Sequence, residues 1–205
     1  MEDSGIGFEL RRALAKAMQL LYRRGLVNLR GGNASARLRL PNGLTWIYIT
    51  PSGKPKEMLE PDDIAVLDPL GNVVRGEPSI EYKLHLLIYE ARPEVNAIVH
   101  SHNPLTLAAH EAKILNDAFR ESLEARYYIG PCLGVVKPYE PGSEELARRT
   151  AEAMDKCNAA ILERHGVVTV GVNSNPIEAI YEAVDRAEVL EDIAKIALYS
   201  RRRTN

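Results

Sequence analysis

The feature that most constrains this chain is a regular alternation between amphipathic helical patterns and short extended apolar runs. Apolar residues recur at helical spacing over 8–24, 79–91, 104–112, 143–156 and the stretch after 175. Extended patterns predict strands at 34–40, 44–50, 64–68, 97–99, 159–162 and 167–171, and 114–130 gives no clear pattern. Because Pro41-Asn42-Gly43 and Gly71-Asn72 form turns typical of hairpins, we expect an α/β fold with a mainly antiparallel sheet covered by helices.

The composition fits one globular domain over residues 1–205. Apolar residues make up 45% of the chain and charged residues 26%, an ordinary balance for a domain with a core. The formal net charge of −2, without a dominant basic stripe, argues against a nucleic-acid partner. No apolar run reaches the roughly 20 residues that span a membrane. The N-terminal residues lack an apolar signal core and Cys132 and Cys157 do not make a disulfide framework, so we expect a cytoplasmic protein.

Three of the five histidines follow short apolar strands. His100 and His102 come at the end of the strand at 97–99, and His165 follows the strand at 159–162. The i, i+2 spacing places two imidazoles on one face of an extended backbone. If the strands are neighbours, the three rings can converge as a zinc set with Zn–N distances of about 2.0–2.1 Å. The alternative is a chance His-x-His pair on a solvated loop, and the third histidine favours the metal.

A helix that begins near Ser79 carries the next candidates. Glu81 would lie in the first turn, where the helix dipole favours an anionic carboxylate. That preference alone can explain it, whereas beside a metal Glu81 can act as a ligand, a general base or both. We expect His85, one turn further on, to have a structural hydrogen-bonding role. We assign no role to His110.

Small residues in turns form a third candidate set. Backbone N–H groups in glycine turns and at helix starts bind anions, and such turns occur at Gly31-Gly32-Asn33, Ser52-Gly53 and Ser79. Each is an ordinary turn when taken alone, and none matches a phosphate-loop or dinucleotide motif. Together they can form one phosphate pocket.

Five motifs in this order resemble the class II aldolase and adducin N-terminal family over roughly residues 8–200. They are Gly32-Asn33-Ala34-Ser35, Ile49-Thr50-Pro51-Ser52-Gly53, Pro78-Ser79-Ile80-Glu81, Val99-His100-Ser101-His102 and Arg164-His165-Gly166. The resemblance implies a three-layer α/β/α domain and a homotetramer with fourfold symmetry whose active sites lie at subunit interfaces. It also implies retro-aldol cleavage of a ketose 1-phosphate of the L-fuculose type to dihydroxyacetone phosphate and an aldehyde such as L-lactaldehyde.

The resemblance also assigns roles to individual residues. One Zn²⁺ per subunit would be held by His100, His102 and His165, with Glu81 as a ligand in the resting enzyme and an acid/base when substrate displaces it. The substrate phosphate would bind to Gly32, Asn33, Ser52, Gly53 and Ser79, and to the backbone of Ile80. A tyrosine of the neighbouring subunit, Tyr127 or Tyr128, would protonate the aldehyde oxygen.

The sequence departs from the family pattern at two places. Family members usually have a second serine where Ile80 stands, so one hydroxyl donor to phosphate is missing. Longer members carry a C-terminal tail with another active-site tyrosine, and we expect none here because the sequence ends at Asn205. Both departures bear on which aldehyde is accepted rather than on the chemistry.

Other activities share this family resemblance. Ribulose-5-phosphate 4-epimerases usually have Asp at the position of Glu81, so Glu81 favours an aldolase. A dehydratase acting on methylthioribulose 1-phosphate and an aldolase acting on deoxypentulose 1-phosphates remain alternatives. A non-catalytic module like the adducin head is a further alternative, but such modules lack the three histidines. The same imidazole set also accepts Mn²⁺ or Co²⁺.

Overall fold

One eight-stranded sheet organises the protein, whose computed structural model describes residues 5–200. The strands are β1 (Asn33–Arg39), β2 (Thr45–Ile49), β3 (Ala65–Leu67), β4 (Val73–Arg75), β5 (Ala97–Ser101), β6 (Gly134–Val136), β7 (Ala159–Leu162) and β8 (Gly166–Gly171). The α-helices are α1 (Gly5–Arg23), α2 (Tyr82–Ala91), α3 (Pro104–Glu111), α4 (Leu115–Glu121), α5 (Glu144–Ala153) and α6 (Pro176–Ser200). Short helical turns occur at Lys56–Met58, Pro61–Asp63 and Ala125–Ile129.

The sheet is mainly antiparallel, as the hairpin turns predicted. Its strand order is β4-β3-β2-β1-β5-β8-β7-β6, and among these pairs only β6 and β7 run parallel. The β1–β2 hairpin closes at Gly43, whose φ of +84° favours glycine. The strands β1, β5 and β8 lie side by side in the middle of the sheet, and this central group carries most of the candidate site.

Helices cover both faces of the sheet, which confirms the three-layer α/β/α architecture. Buried side chains of α1 and α6 pack with those of β1 on one face. On the other face, α2 and α5 pack against β2, β3, β7 and β8. A third cluster joins α3, α4 and the turn Ala125–Ile129 to α6. No helix in the described part, α6 included, combines the length and apolar character needed to cross a membrane.

The structure corrects several element boundaries. Helix α2 begins at Tyr82, so Glu81 is the residue before the helix and not part of its first turn. Helix α5 ends at Ala153, while Ser143 caps its start by accepting a hydrogen bond from the Leu146 N–H at 3.1 Å. The short strands β4 and β6 were not expected. The segment without a pattern contains α4 and a π-helical turn at Ala125–Ile129.

The two cysteines are paired, which the sequence did not predict. Cys132 and Cys157 form a disulfide across 25 residues of sequence. The bond joins the loop after the turn Ala125–Ile129 to the loop before β7. One cross-link does not make a disulfide framework. Because both cysteines are paired, however, they no longer argue for a reducing compartment. Residues 1–4 and 201–205, with the end of the chain where a tail tyrosine was considered, lie outside the described residues.

Candidate active site

Three imidazoles meet at one end of the central strands. His100 lies in β5, opposite Asn33 of β1 and Val168 of β8. His102 follows β5 and is fixed by its backbone N–H, which donates to the Leu26 carbonyl at 2.7 Å. His165 lies in the tight turn between β7 and β8, so β8 rather than β7 brings it beside β5. One ring nitrogen of each histidine lies within 4.8 Å of the other two, and the group can hold a metal ion.

The rings are oriented as metal ligands would be. His100 Nδ1 lies 3.0 Å from the Val167 carbonyl oxygen, which can only accept, so Nδ1 carries the proton and Nε2 keeps its lone pair. His100 Nε2 lies 3.2 Å from His102 Nε2. Two nitrogens bound tetrahedrally to zinc at about 2.05 Å would be separated by about 3.3 Å. The spacing of the two nitrogens therefore fits two ligands of a single small cation.

Glu81 completes the ring of donor atoms. Its Oε2 lies 3.4 Å from His100 Nε2, and its Oε1 lies 3.7 Å from His165 Nε2. Glu81 Oε1 and His165 Nδ1 are buried without a hydrogen-bond partner in the described part of the chain. A buried acceptor without a partner is costly, by about 1–3 kcal/mol. A divalent cation would satisfy the orphaned carboxylate oxygen, so the residues present fit the metal that the sequence predicts.

Two of the imidazoles, those of His100 and His102, are held in the neutral form that binds metals. Burial, followed by repulsion from His165, lowers the pKa of His100 to about 3. Burial, then the charges on His100, His165 and Lys56, lowers the pKa of His102 to about 4. Both rings are thus neutral near pH 7, with lone pairs available to a cation without prior loss of a proton.

Two glycines allow the rings to pack this closely. A Cβ on Gly31 would lie 2.5 Å from His102 Cε1. A Cβ on Gly166 would lie 2.2 Å from the Ser101 carbonyl oxygen and 3.0 Å from His100 Cε1. Any side chain at Gly166 would displace β5 or its histidines, so Gly166 has a steric role that the motif alone did not explain.

A chain of buried hydrogen bonds fixes the Glu81 carboxylate. The Asn33 carboxamide donates to Glu81 Oε2 at 2.8 Å, and its oxygen lies 2.6 Å from His85 Nε2. His85 Nδ1 in turn lies 2.7 Å from Ser35 Oγ, which lies 2.8 Å from the Tyr89 hydroxyl. Because the Asn33 oxygen only accepts, His85 carries its proton on Nε2. The hydrogen-bonding role expected for His85 is present, and it positions the carboxamide that holds the carboxylate.

The serine turns lie directly beside Glu81. The Ser79 N–H donates to the Thr50 carbonyl at 3.1 Å, and the Ile80 N–H donates to Ser52 Oγ at 2.8 Å. These bonds hold the loop that leads to Glu81 against the end of β2. Since Ser52 Oγ accepts from Ile80, its own hydrogen remains free to donate to an anion. Ile80 itself is 61% exposed and offers no side-chain donor.

The glycine turns border the same region. Gly32 has a φ of +72°, and a Cβ there would lie 2.8 Å from the His100 carbonyl oxygen. Gly53 has a φ of +71° with open space around it, so its backbone is accessible. The side chain of Asn33 is buried and donates one of its two amide hydrogens to Glu81. The second amide hydrogen is available to another acceptor.

Tyr127 and Tyr128 lie at the opposite end of the sheet. Their turn is anchored by the Asn158 side chain, which donates to the Ile129 carbonyl at 2.9 Å just before β7 begins. The Tyr128 carbonyl accepts from Arg186 Nε at 2.7 Å, and Arg186 also bonds to Val170 near the end of β8. His165 lies beyond the far end of β7, whose four residues span about 13 Å. Within one chain these tyrosines do not join the imidazoles.

Comparisons with known proteins agree with this geometry. The family model described as "Class II Aldolase and Adducin N-terminal domain" matches residues 12–198. An "L-fuculose phosphate aldolase" of Methanocaldococcus jannaschii is 35% identical over 188 residues, which cover 92% of this chain and 95% of the relative. A "5-methylthioribulose-1-phosphate/5-deoxyribulose-1-phosphate aldolase" of Escherichia coli is 31% identical, covering 82% of this chain and 75% of the relative.

A solved structure extends the similarity to the fold. The crystal structure of L-fuculose-1-phosphate aldolase from Thermus thermophilus superposes with a TM-score of 0.78 at 30% identity, covering 94% of each chain. The family match covers well over half of the chain, and the relatives are aldolases, which are lyases. The chain therefore belongs to the class II aldolase and adducin N-terminal family, as one of its aldolases.

Proposed function

We propose that the protein is a zinc-dependent aldolase that reversibly cleaves a ketose 1-phosphate into dihydroxyacetone phosphate and a short aldehyde such as L-lactaldehyde. The observation that carries this proposal is the convergence of three imidazoles and a partly unsatisfied Glu81 on one point. The name of the Methanocaldococcus jannaschii relative supports L-fuculose 1-phosphate as the first substrate to test.

In this proposal His100, His102 and His165 hold one Zn²⁺ per subunit, with Glu81 as the fourth ligand before substrate enters. A bound zinc ion would supply a Lewis acid that polarises the carbonyl oxygen of the substrate. Neutral imidazoles favour zinc over Mg²⁺ or Ca²⁺, which prefer oxygen ligands.

Glu81 is the proposed acid/base. Its Oε2 is held by the Asn33 carboxamide at 2.8 Å, while Oε1 has no hydrogen-bond partner in the described chain. The held oxygen fixes the plane of the carboxylate, and the other oxygen is available to take and return a proton. Cleavage removes a proton from the substrate hydroxyl that becomes the aldehyde oxygen, and the carbon left on the phosphate-bearing fragment must gain one. Oε1 is the group positioned to carry that proton to the carbon.

We propose that the substrate phosphate binds where the turns Gly32-Asn33, Ser52-Gly53 and Ser79-Ile80 meet. The free hydroxyl hydrogens of Ser52 and Ser79, the second N–H of Asn33 and the accessible backbone of Gly53 are its donors. Ile80 contributes through its backbone N–H, which holds Ser52 Oγ at 2.8 Å. Binding energy from the phosphate would orient the carbons that react at Glu81.

We further propose a homotetramer in which Tyr127 or Tyr128 of one subunit enters the site of the next. Tyr127 is 82% exposed and Tyr128 is 43% exposed, and Leu123, just before their turn, is exposed as well. Such a group of exposed apolar and aromatic residues is typical of a subunit contact. A tyrosine hydroxyl placed there would accept and relay the proton of the substrate hydroxyl that becomes the aldehyde oxygen, and in the condensation direction it would protonate that oxygen.

We propose a cytoplasmic location, because phosphorylated sugars carry charges that keep them on the side of the membrane where they are made. The disulfide between Cys132 and Cys157 is compatible with this location in the intracellular proteins of some hyperthermophiles.

A 5-deoxypentulose 1-phosphate is the second candidate substrate, favoured by the similarity to the Escherichia coli aldolase for such compounds. It would react with the same residues, because only the aldehyde fragment differs. Epimerase and dehydratase activities are the remaining alternatives, and they differ in the products that they release.

The test is a cleavage assay on a panel of ketose 1-phosphates, with dihydroxyacetone phosphate measured enzymatically. We expect cleavage of L-fuculose 1-phosphate, its loss after treatment with a chelator, and its return on addition of Zn²⁺. Dihydroxyacetone phosphate released from no member of the panel would refute the aldolase proposal. Release of a dehydrated or epimerised pentulose phosphate would identify one of the alternatives instead.

A further inference from the structure

Lys56 is a buried cation that has no carboxylate partner among residues 5–200. Its side chain is 1% exposed, and it ranks among the largest fully buried side chains of the described residues. Within residues 5–200 its ammonium group makes one hydrogen bond, to the Pro51 carbonyl oxygen at 2.9 Å, and no ion pair. Burial lowers its pKa to about 8, so the group is still mostly charged at pH 7. An uncompensated buried charge destabilises a fold and calls for a functional explanation.

The surroundings of Lys56 are the proposed phosphate site. Pro51 directly precedes Ser52 and Gly53. The Lys56 backbone N–H donates to the Leu29 carbonyl at 2.7 Å, just before the Gly31-Gly32 turn. The positive charge of Lys56 is also among the causes that lower the pKa of His102. The ammonium group thus lies among the segments proposed to bind phosphate and close enough to the imidazoles to affect them electrostatically.

The bond to Pro51 also orients a donor. In a trans peptide the C=O and the following N–H point in opposite directions. When Lys56 holds the Pro51 carbonyl, the Ser52 N–H therefore points away from the lysine. The fold thus fixes the direction of a backbone donor in the phosphate loop through one buried side chain.

We propose that Lys56 is the counter-charge and positioning residue of the phosphate site: its ammonium group offsets the phosphate charge from behind the Ser52-Gly53 loop and orients the Ser52 N–H. This inference rests on the proposed function, since it assumes that a phosphate group binds there. In this proposal the Lys56 ammonium group does not touch the reacting atoms. It acts through the electrostatic field of its charge and through its hydrogen bond to the Pro51 carbonyl oxygen.

The proposal predicts that loss of the Lys56 charge weakens phosphate binding without lowering the melting temperature. A purely structural role would instead lower the melting temperature. Lys56→Met keeps the length of the side chain and removes the charge. We expect its Kd for inorganic phosphate to rise about tenfold or more, because a unit charge is lost in a poorly screened site. We expect its melting temperature to equal or exceed that of the wild-type protein, because an uncompensated buried charge is gone.

The experiment is calorimetric titration of the zinc-loaded protein with inorganic phosphate, together with thermal unfolding of the same samples. Lys83→Met serves as the matched control, since Lys83 is half-buried and pairs with Glu144 at 2.7 Å rather than with a segment of the proposed phosphate site; we expect its Kd to be unchanged. Lys56→Gln provides a second neutral variant and should behave like Lys56→Met.

The outcomes decide between the possibilities. An unchanged Kd in both neutral variants overturns the proposal and leaves the aldolase proposal standing. A large loss of stability, or failure of both variants to fold, also overturns it, because the charge would then be structural. If the wild-type protein cleaves none of the ketose 1-phosphates and binds no phosphate, the proposed function fails and the role of Lys56 fails with it.

Discussion

The imidazole end of the sheet and the tyrosine end are built in opposite ways. At the imidazole end, His100 and Glu81 are buried, and each is fixed by hydrogen bonds to residues distant in sequence. At the tyrosine end, Tyr127 and Tyr128 stand on a short π-helical turn, and their exposed rings lie with centroids 4.9 Å apart. The turn itself is held by the buried side chains of Ala125 and Ile129 and by backbone hydrogen bonds to Asn158 and Arg186, which leaves the two tyrosine side chains outside.

The difference shows which parts of the active site a single chain can form by itself. Metal ligands need defined distances before the ion arrives, so buried strand ends and a hydrogen-bonded carboxylate suit them. A residue offered to a neighbouring subunit must project from the surface, so it cannot be buried in its own chain. We therefore infer that a single chain preorganises the metal and phosphate sites, and that the tyrosine requires assembly. The following changes test this division, from the largest expected effect to the smallest.

Removal of a metal ligand should have the largest effect. We expect His165→Ala to lose bound zinc and to lower kcat/KM by about 10³-fold or more, because several kcal/mol of Lewis-acid stabilisation disappear. Metal analysis of the purified protein and the cleavage assay measure both. His110→Ala is the control, because His110 contacts Glu163 at 3.2 Å and lies outside the group of three. A His165→Ala protein with full zinc content would contradict the assigned ligand set.

Glu81→Gln should separate chemistry from metal binding. Gln keeps the shape of the side chain and can still accept from Asn33, but it cannot carry a proton. We expect zinc to remain bound through the three imidazoles and kcat to fall by about 10²–10⁴-fold. Turnover near the wild-type rate in this variant would remove Glu81 from the acid/base role.

The tyrosines should affect kcat without affecting the metal. We expect either Tyr127→Phe or Tyr128→Phe, but not both, to lower kcat by about a hundredfold, with unchanged zinc content. The sharper test mixes subunits. Tetramers that combine Glu81→Gln chains with chains carrying the damaging Tyr→Phe change should regain activity, because some sites then pair an intact Glu81 with an intact tyrosine of the neighbour. No recovery in mixed tetramers would mean that both residues act within one chain.

The acid sensitivity of the metal-free protein should depend in part on His85. Burial lowers the pKa of His85 from 6.5 to about 3, so the unfolded chain binds a proton there at a pH where the folded chain does not. The free energy of unfolding should therefore fall as the pH drops from about 6.5 toward 3 and should not change through this group above 6.5. Urea unfolding of metal-free protein at several pH values should show a shallower pH dependence for His85→Gln. An identical dependence would mean that His85 is not a buried neutral imidazole.

Much of the fold and of the candidate site could be predicted from the sequence, and the failures have physical causes. Strand β7 was predicted at its observed bounds because its residues are apolar and enclosed by turns. Strand β4 was missed because all three of its residues are exposed at the sheet edge, where no hydrophobic pattern forms. The three histidines were identified by motif, whereas the contacts of Asn33 with Glu81 and His85 depend on strand register that only coordinates give. The role of Lys56 was missed because a lysine in a polar loop shows no sign of burial in the sequence.

The disulfide was missed for a related reason. Cys132 and Cys157 lie in two loops whose approach depends on the parallel pairing of β6 with β7. A parallel pair needs a crossover connection, here α5, and no hairpin motif reveals it.

The central claim is that three imidazoles and Glu81 surround a single divalent cation. X-ray absorption at the zinc edge, on purified wild-type protein of measured metal content, tests it most directly. We expect one zinc per chain with three nitrogen neighbours of imidazole type at about 2.0–2.1 Å and one oxygen neighbour. A spectrum that requires sulfur ligands or lacks imidazole scattering, or protein that binds no stoichiometric metal on reconstitution, would contradict the account.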